Sequence, residues 1–157
     1  MSNVRSFAKG SNVQLSKNFN SNEFDCKCKR ATCKQTLIDM EHVTNMQILR
    51  DRVNKRIIQN CAYRCNEHND EVGGVSGSQH PQGFASDIGI EGMTPDEVAD
   101  VAEPIFNGLG RYDTFTHVDS RALGQKGAKA RWDFRKKWYM DSYKCLQQLE
   151  IDLEYAR

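Results

Sequence analysis

Two histidines of the sequence each have a carboxylate close by, and both pairs fall in strand-like segments. His80 precedes Asp87 by seven residues in SQHPQGFASDIGI, and His117 precedes Asp119 by two in TFTHVDS. Side chains two positions apart on a strand share a face, so His117 and Asp119 should point the same way. The proline and glycine after His80 force a turn that can bring Asp87 back toward it. Two imidazoles and one carboxylate suit Zn²⁺ with an open fourth position, the arrangement of a catalytic site.

The alternative is that these histidines are ordinary core or surface residues, because metal binding is a minority use of histidine. We assign that ordinary role to the other two. His42 is expected on the polar face of the first helix, and His68 in a polar loop. For His80, Asp87 and His117 a wider sequence pattern favours the metal site.

That pattern is a succession of motifs. SQHPQGFASD fits Ser-x-His-x-x-Gly-x-Ala-x-Asp, with NCAYRCNEHNDEVGG before it and YDTFTHVDSR after it. From about Leu15 to Trp132 the sequence resembles the zinc D-alanyl-D-alanine carboxypeptidases and related peptidoglycan peptidases of the Hedgehog/DD-peptidase fold. The segment LSKNFNSNEFDCKC is similar to the start of a small, phage-type subfamily. The resemblance implies one catalytic Zn²⁺ bound by His80, Asp87 and His117.

The resemblance also implies roles for residues around the metal. Arg64 matches an arginine that holds the substrate carbonyl or carboxylate, a task that suits a guanidinium; otherwise it is a surface arginine. Ser78 matches a serine that binds substrate or shapes the loop. The aromatic residues Tyr112 and Phe115 are expected in the core, and Trp132 is expected to close the domain by packing.

The general base is where the sequence departs from the family pattern. Several members carry an acid three residues before the last histidine ligand, and Thr114 occupies that position here. Two acids remain close, Asp119 and Asp113. Asp119 is favoured because it shares a strand face with His117. Its alternative role is to orient that histidine, which is itself functional.

Six cysteines are many for a chain of this length. Three lie in DCKCKRATC, two in CAYRC and one near the C-terminus: Cys26, Cys28, Cys33, Cys61, Cys65 and Cys145. The first three could bind a structural metal with Cys61 or Cys65 as fourth ligand, although the spacing matches no common zinc finger. Disulfides formed after release and plain buried thiols are the alternatives.

Composition limits the class of protein. The chain has 157 residues, 38% hydrophobic and 27% charged, with a net charge of +1. These values are typical of one globular domain and give no overall field that would attract nucleic acid. No apolar run has the length of a membrane span or of a secretory signal, so we expect synthesis in the cytoplasm without a signal peptide and no membrane insertion.

Periodicity predicts the elements that must position the site. Apolar residues at helical spacing predict a helix over 35–56. RIIQNCAY, GFASDIGI and YDTFTHVDS are typical of strands, and EHNDEVGGVSGS of a polar loop. A helix should begin with a capping box at Thr94 and kink or end near Pro104. A C-terminal helix is expected from Trp132.

These elements predict an α+β fold, a small single domain with an antiparallel or mixed sheet flanked by helices, like the Hedgehog/DD-peptidase fold. We divide the chain into an N-terminal arm (1–14), a zinc peptidase domain (15–132) and a C-terminal helical extension (133–157). A basic segment runs from residue 121 to residue 137 and so overlaps the start of this extension. It is a solvated face or a contact for an anionic polymer. Its basic residues are Arg121, Lys126, Lys129, Arg131, Arg135, Lys136 and Lys137.

The sequence therefore predicts a zinc-dependent peptidase of peptidoglycan stem peptides, either a D-Ala-D-Ala carboxypeptidase or an endopeptidase. We expect a monomeric, phage-type lytic enzyme that acts at the cell wall after release or within a virion. A catalytically silent module that keeps the zinc fold is one alternative, and a structural virion protein is another. A nucleic-acid-binding role is disfavoured because no recognisable finger is present.

Overall fold

The computed structural model describes residues 3–136, and a five-stranded mixed sheet is its largest element. In chain order the strands and α-helices are β1 Val4–Ala8, β2 Gln35–Asp39, α1 Met40–Val53, β3 Ile57–Cys61, α2 Asn66–Glu71, β4 Ala85–Ile90, α3 Pro95–Ala102, β5 Gly108–Arg111, β6 Thr116–Asp119 and β7 Ala130–Asp133. The strand order is β3-β4-β6-β5-β7, with only the β5–β7 pair parallel. A second, two-stranded antiparallel sheet joins β1 to β2. The predicted α+β class is confirmed.

The two central strands separate a core face from an open face. Along β4, Ser86 and Ile88 are buried while Asp87 between them is partly exposed, the period of two expected for a strand. β4 pairs antiparallel with β6, and this register places Asp87 directly opposite His117. Cross-strand neighbours lie about 5 Å apart. The sheet therefore brings a carboxylate and an imidazole together on the open face.

The hydrophobic core lies on the other face, beneath α1 and α3. Val43, Met46 and Leu49 of α1 pack in one buried cluster with Ile88 and Val118 of the sheet. Removing such apolar side chains from water stabilises the fold by about 1.5–3 kcal/mol each. Within residues 3–136, no helix is long and apolar enough to cross a lipid bilayer.

Helix α3 begins as its sequence predicts. The Thr94 side chain accepts a hydrogen bond from the Glu97 amide, and the Glu97 carboxylate accepts one from the Thr94 amide. The predicted capping box is confirmed. The helix ends at Ala102, two residues before Pro104, whose nitrogen carries no hydrogen and cannot continue the helical hydrogen bonding.

The helix predicted over 35–56 was wrong in its first turn. Residues 35–39 form β2, which pairs along its whole length with β1. The carboxylate of Asp39 then accepts the amide of His42 and caps α1. Asn54, with a left-handed backbone, ends the helix. Pairing with a distant strand therefore overrides the helical periodicity of the local sequence.

Three further predictions need correction. EHNDEVGGVSGS is not all loop, since its first part forms α2. YDTFTHVDS is a strand only at Thr116–Asp119, and Gly108–Arg111 forms a strand that was not predicted. Trp132 begins no helix because it lies in β7, paired with β5. The remainder of the predicted C-terminal helix, from residue 137 onward, and Cys145 lie outside the described residues.

His42 was wrongly placed on a polar helix face. Its side chain is 0% exposed, with Nε2 2.9 Å from the hydroxyl of Ser86 and Nδ1 3.1 Å from that of Ser120. A neutral imidazole, with one donor and one acceptor nitrogen, satisfies both hydroxyls. Burial lowers the pKa of His42 to about 3, against the opposing charge of Asp119.

This buried histidine predicts an acid-sensitive fold. Below pH 6.5 the unfolded chain binds a proton at His42 that the folded protein refuses until about pH 3. Each pH unit of acidification in that window should therefore remove up to about 1.4 kcal/mol from the free energy of unfolding. Urea denaturation at several pH values, in chelator to exclude metal effects, should give a shallower pH slope for His42→Gln than for the wild type. Parallel slopes for the two proteins would contradict this role.

Candidate metal centre and cleft

The structure brings His80, Asp87 and His117 together at one point on the open face of the sheet. Asp87 Oδ1 lies 3.3 Å from His80 Nε2 and 2.9 Å from His117 Nδ1. The two imidazole rings meet edge to face with centroids 5.0 Å apart. One carboxylate oxygen is therefore shared between two ring nitrogens.

These distances fit the ligand atoms of a zinc ion. Zn–N and Zn–O bonds of about 2.0–2.1 Å place adjacent ligand atoms of a tetrahedron about 3.3 Å apart. The separations of Asp87 Oδ1 from the two nitrogens, 3.3 and 2.9 Å, are near that value. The Asp87 oxygen thus lies at a separation from each of these two nitrogens that suits two ligands of one ion.

The outer nitrogens of both histidines are also engaged. His80 Nδ1 donates to the carbonyl of Ala62 at 2.6 Å, and His117 Nε2 donates to Asp119 Oδ2 at 2.9 Å. These acceptors hold the inner nitrogens toward Asp87, in position to bind a metal. Metal-binding histidines in proteins show this pairing with a carbonyl or carboxylate, which fixes the tautomer. The hydrogen-bond partners of the outer nitrogens are therefore also those expected for metal-binding histidines.

Two glycines keep this geometry free of steric conflict. Gly83 ends the turn after His80 with a φ of +81°, and a Cβ there would lie 2.5 Å from the carbonyl oxygen of Leu37. Gly108 of β5 faces Asp119, whose carboxylate oxygens would lie 2.2 Å from an added Cβ. Side chains at these positions would displace the turn or the carboxylate.

Negative charge is concentrated at the shared oxygen. Burial opposes ionisation of Asp87, yet its contacts with both histidines hold its pKa well below the usual range. Burial likewise opposes protonation of His80, but Asp87 and Cys61 outweigh it and raise the pKa of His80 to about 9. The field that favours a proton here would also attract a divalent cation.

Asp119 lies on the opposite side of the His117 ring from Asp87. Its side chain is fully buried, and Arg121 binds both of its oxygens, with Nε 2.8 Å from Oδ1 and Nη2 2.6 Å from Oδ2. Burial opposes its ionisation, but Arg121 and His117 lower the pKa of Asp119 well below its usual range. This placement fits a carboxylate that orients His117. It leaves no free oxygen directed at a substrate.

Arg64 lies at the edge of the metal centre. Its Nη2 is 3.7 Å from Asp87 Oδ2 and 3.4 Å from Cys61 Sγ, while Nη1 donates to Asn69 Oδ1 at 3.1 Å. The side chain is largely buried. Arg64 is thus held in place beside the ligands and is no surface arginine.

The other predicted site residues are divided between the cleft and the surface. Ser78 lines the cleft, and its hydroxyl accepts the His80 amide at 3.4 Å. Asp113 and Thr114 are exposed in the turn between β5 and β6 and do not line the cleft. The Asp113 carboxylate accepts the Lys136 amide at 3.2 Å.

A cavity of about 700 Å³ opens above the metal centre. The aromatic residues Tyr112 and Phe115, expected in the core, line it and stack with centroids 4.3 Å apart. Val75 and Phe134 form exposed apolar parts of its wall, 71% and 67% exposed. Asp87 is the only carboxylate residue among the described residues that line this cavity.

Sequence reasoning missed two residues of the centre. Arg121 had been counted only in the basic segment, although its position two residues after Asp119 on an extended chain was a signal. It also lies over the Trp132 ring, 5.3 Å from the centroid. Cys61 pairs in register with Asp87 across β3 and β4, a relation that only strand pairing reveals.

Cys61 is a competing third ligand. Potential ligand atoms of Cys61, His80 and Asp87 lie within 4.8 Å of one another. However, Cys61 Sγ contacts His80 through Nδ1, at 3.9 Å, and that nitrogen already donates to a backbone carbonyl. An ion on His80 Nε2 would therefore lie on the side of Asp87, away from the nitrogen that Cys61 contacts.

A separate cluster contains four thiols. The Sγ atoms of Cys26, Cys28, Cys33 and Cys65 lie within 4.8 Å of one another. Of the two fourth members left open by the sequence, the structure thus brings Cys65 to this cluster, whereas Cys61 lies at the cleft. None of the five cysteines among the described residues forms a disulfide.

Two imidazoles and a carboxylate on the floor of a cleft are a donor set typical of catalytic zinc hydrolases. Comparison with protein families gives the more specific result. The family model described as Peptidase M15 matches residues 17–119, more than half of the chain. The chain belongs to the Peptidase M15 family, a family of zinc metallopeptidases. No curated protein matches the sequence.

The position of Asp119 predicts the effect of its removal. In Asp119→Asn, His117 loses its charged acceptor, so zinc affinity should fall about 10–100-fold. Competition with a chromophoric chelator measures this affinity. Asp113→Asn makes the same chemical change at an exposed carboxylate and should leave the affinity unchanged. Unaltered affinity in Asp119→Asn together with a large loss of turnover would instead indicate a general base.

Proposed function

We propose that the protein is a zinc-dependent peptidase that hydrolyses the stem peptides of peptidoglycan. The observation that carries this proposal is the convergence of His80, Asp87 and His117 on one point, beneath an open cleft and beside a fixed arginine. Membership of the Peptidase M15 family supports the reaction class. The stem-peptide substrate rests on the resemblance to D-alanyl-D-alanine carboxypeptidases and related peptidases.

His80, Asp87 and His117 would hold the zinc ion, which supplies Lewis-acid activation of the scissile carbonyl and of a water molecule. Asp119 keeps His117 in the correct tautomer, and the carbonyl of Ala62 does the same for His80. Both rings are therefore preorganised, so little reorganisation is needed when metal and substrate bind.

Arg64 is the residue that we assign to the substrate oxygen. Asn69 and Cys61 hold its guanidinium beside Asp87. In this position it can donate hydrogen bonds to the oxygen on which negative charge develops, or to the carboxylate of a C-terminal D-alanine. Either role suits a stem peptide, because its terminal and side-chain carboxylates provide anionic groups near the scissile bond.

The basic segment contributes less charge than its composition suggests. Arg121 is bound to Asp119, Arg131 to Glu103, and Arg135 to Asp133 and Asp96. Lys137 lies outside the described residues. Three of the six described basic residues of the segment are thus ion-paired, which favours a solvated face over a docking surface for an anionic polymer.

A catalytically silent member of the fold is the second candidate. It is favoured by the exposed position of Thr114 and by a cleft lining in which, among the described residues, Asp87 is the sole carboxylate residue. Such a protein would bind zinc and peptide without turnover. A structural virion protein would in addition be indifferent to loss of His80.

We further propose a phage-type lytic role, with action at the cell wall after release from the cytoplasm or from a virion. This narrower assignment rests on the resemblance of LSKNFNSNEFDCKC to the small phage-type subfamily. We propose a monomer of three parts, with residues 1–14 as an arm, 15–132 as the peptidase domain and 133–157 as an extension. The arm contains β1, which pairs with β2 of the proposed peptidase domain.

Loss of zinc should abolish hydrolysis. Purified peptidoglycan incubated with the enzyme should release D-alanine or new amino groups, and a chelator or His80→Ala should reduce this release to background. Restoration by added zinc controls for damage by the chelator. D-alanine identifies a carboxypeptidase, whereas new amino groups without free D-alanine identify an endopeptidase. A folded, zinc-loaded protein that releases neither product from several wall types would support the silent-module alternative.

Arg64 can be tested separately from the metal. Arg64→Gln should lower kcat/KM about 10²–10³-fold, because a donor to the developing oxyanion is lost, while the zinc content stays unchanged. Arg52→Gln is a matched control, since Arg52 is exposed near the end of α1. Equal kcat/KM for the Arg64 variant and the wild type would remove Arg64 from the mechanism.

A further inference from the structure

The four clustered thiols lie outside the cleft and have no part in the proposed hydrolysis. Cys26, Cys28 and Cys33 belong to the loop that follows a short 3₁₀ turn at Ser21–Phe24, and Cys65 immediately precedes α2. We propose that these four cysteines bind a second zinc ion, with a structural role.

Sulfur–sulfur distances carry this proposal. Cys65 Sγ lies 3.8 Å from both Cys26 Sγ and Cys28 Sγ. In a tetrahedral site with Zn–S bonds of about 2.3 Å, adjacent sulfur atoms are about 3.8 Å apart. A disulfide would require about 2.05 Å. Because Cys65 is equally distant from two sulfurs, neither pair is singled out for oxidation.

The donor set identifies both the metal and its role. Four thiolates in a tetrahedral arrangement are soft ligands that suit zinc. They leave no open position for water or substrate, so the ion would be structural. The Cys65 amide donates to Cys26 Sγ at 3.4 Å, and the Lys9 ammonium lies 3.8 Å from Cys28 Sγ. These donors would offset part of the negative charge of a tetrathiolate site.

The proposed ion would join two segments that are distant in sequence. Residues 25–34 contain no helix or strand, and Cys26 lies 39 residues before Cys65. A hydrogen bond from the Tyr63 amide to the Phe24 carbonyl, at 2.9 Å, connects the same two segments. A metal cross-link between these segments would add its binding free energy to the stability of the fold.

The cross-link would also support the edge of the cleft. Cys65 directly follows Arg64, and Ala62, three residues before Cys65, supplies the carbonyl that holds His80. Removing the second zinc should therefore loosen the strand end on which both depend. This consequence for catalysis rests on the proposed function, but the metal site itself does not.

Metal analysis of protein produced with zinc under reducing conditions tests the proposal. Wild-type protein should contain two zinc ions per chain, and His80→Ala should retain one. A Cys28→Ser, Cys65→Ser double variant should also retain one, bound at the cleft. In the His80→Ala protein, replacement of the remaining zinc by cobalt should produce thiolate-to-cobalt charge-transfer absorption.

If the cysteine variant does not fold, the cobalt spectrum of the His80→Ala protein still reports whether thiolates bind the metal. One zinc per chain in the wild type, with none in His80→Ala and four freely reactive thiols, would overturn the proposal. Mass-spectrometric detection of disulfides among the four cysteines of freshly purified protein would overturn it too. One zinc in both the wild type and His80→Ala, with thiolate-to-cobalt absorption, would instead support this site and count against the metal centre of the cleft.

Discussion

The sharing of one Asp87 oxygen between His80 and His117 is the interaction on which the rest of the site depends. An ionised carboxylate on a largely buried side chain is costly unless neighbouring groups stabilise it. Here two imidazoles provide that stabilisation, at 3.3 and 2.9 Å. In the zinc-bound protein the ion would take over this task, with all three side chains as ligands. The positions of these three side chains would therefore differ little between the metal-free and the zinc-bound protein.

The fold supplies this convergence through a few long-range relations. Antiparallel register places His117 opposite Asp87, and a turn with a left-handed glycine returns His80 to the same point. The two carboxylates then have separate roles because their surroundings differ. Asp87 faces the cleft, whereas Asp119 is enclosed by Arg121 and His117 beneath it. Asp119 is therefore placed to orient His117.

Local sequence sufficed where a short pattern determines the geometry. The capping box at Thr94 is such a case, since its hydrogen bonds join residues three apart. His80 and Asp87 also came together, because their motif combines a turn and a strand. His117 joins them through the register of β4 with β6, and only the family resemblance predicted its place there. The predictions were wrong where contacts between distant segments of the chain determine the structure. Residues 35–39 became a strand through β1, and His42 was buried by hydroxyls of β4 and of the residue after β6. The position of Cys61 in the site likewise emerges only once the sheet is assembled.

The most direct measurement is a crystal structure with diffraction data collected on both sides of the zinc absorption edge. We expect an anomalous peak about 2.0–2.2 Å from His80 Nε2, Asp87 Oδ1 and His117 Nδ1, with solvent or substrate at a fourth position. A zinc-loaded crystal with no peak at these atoms would contradict the account. So would an ion bound by Cys61 Sγ in place of His117, because the catalytic ligand set would then be a different one.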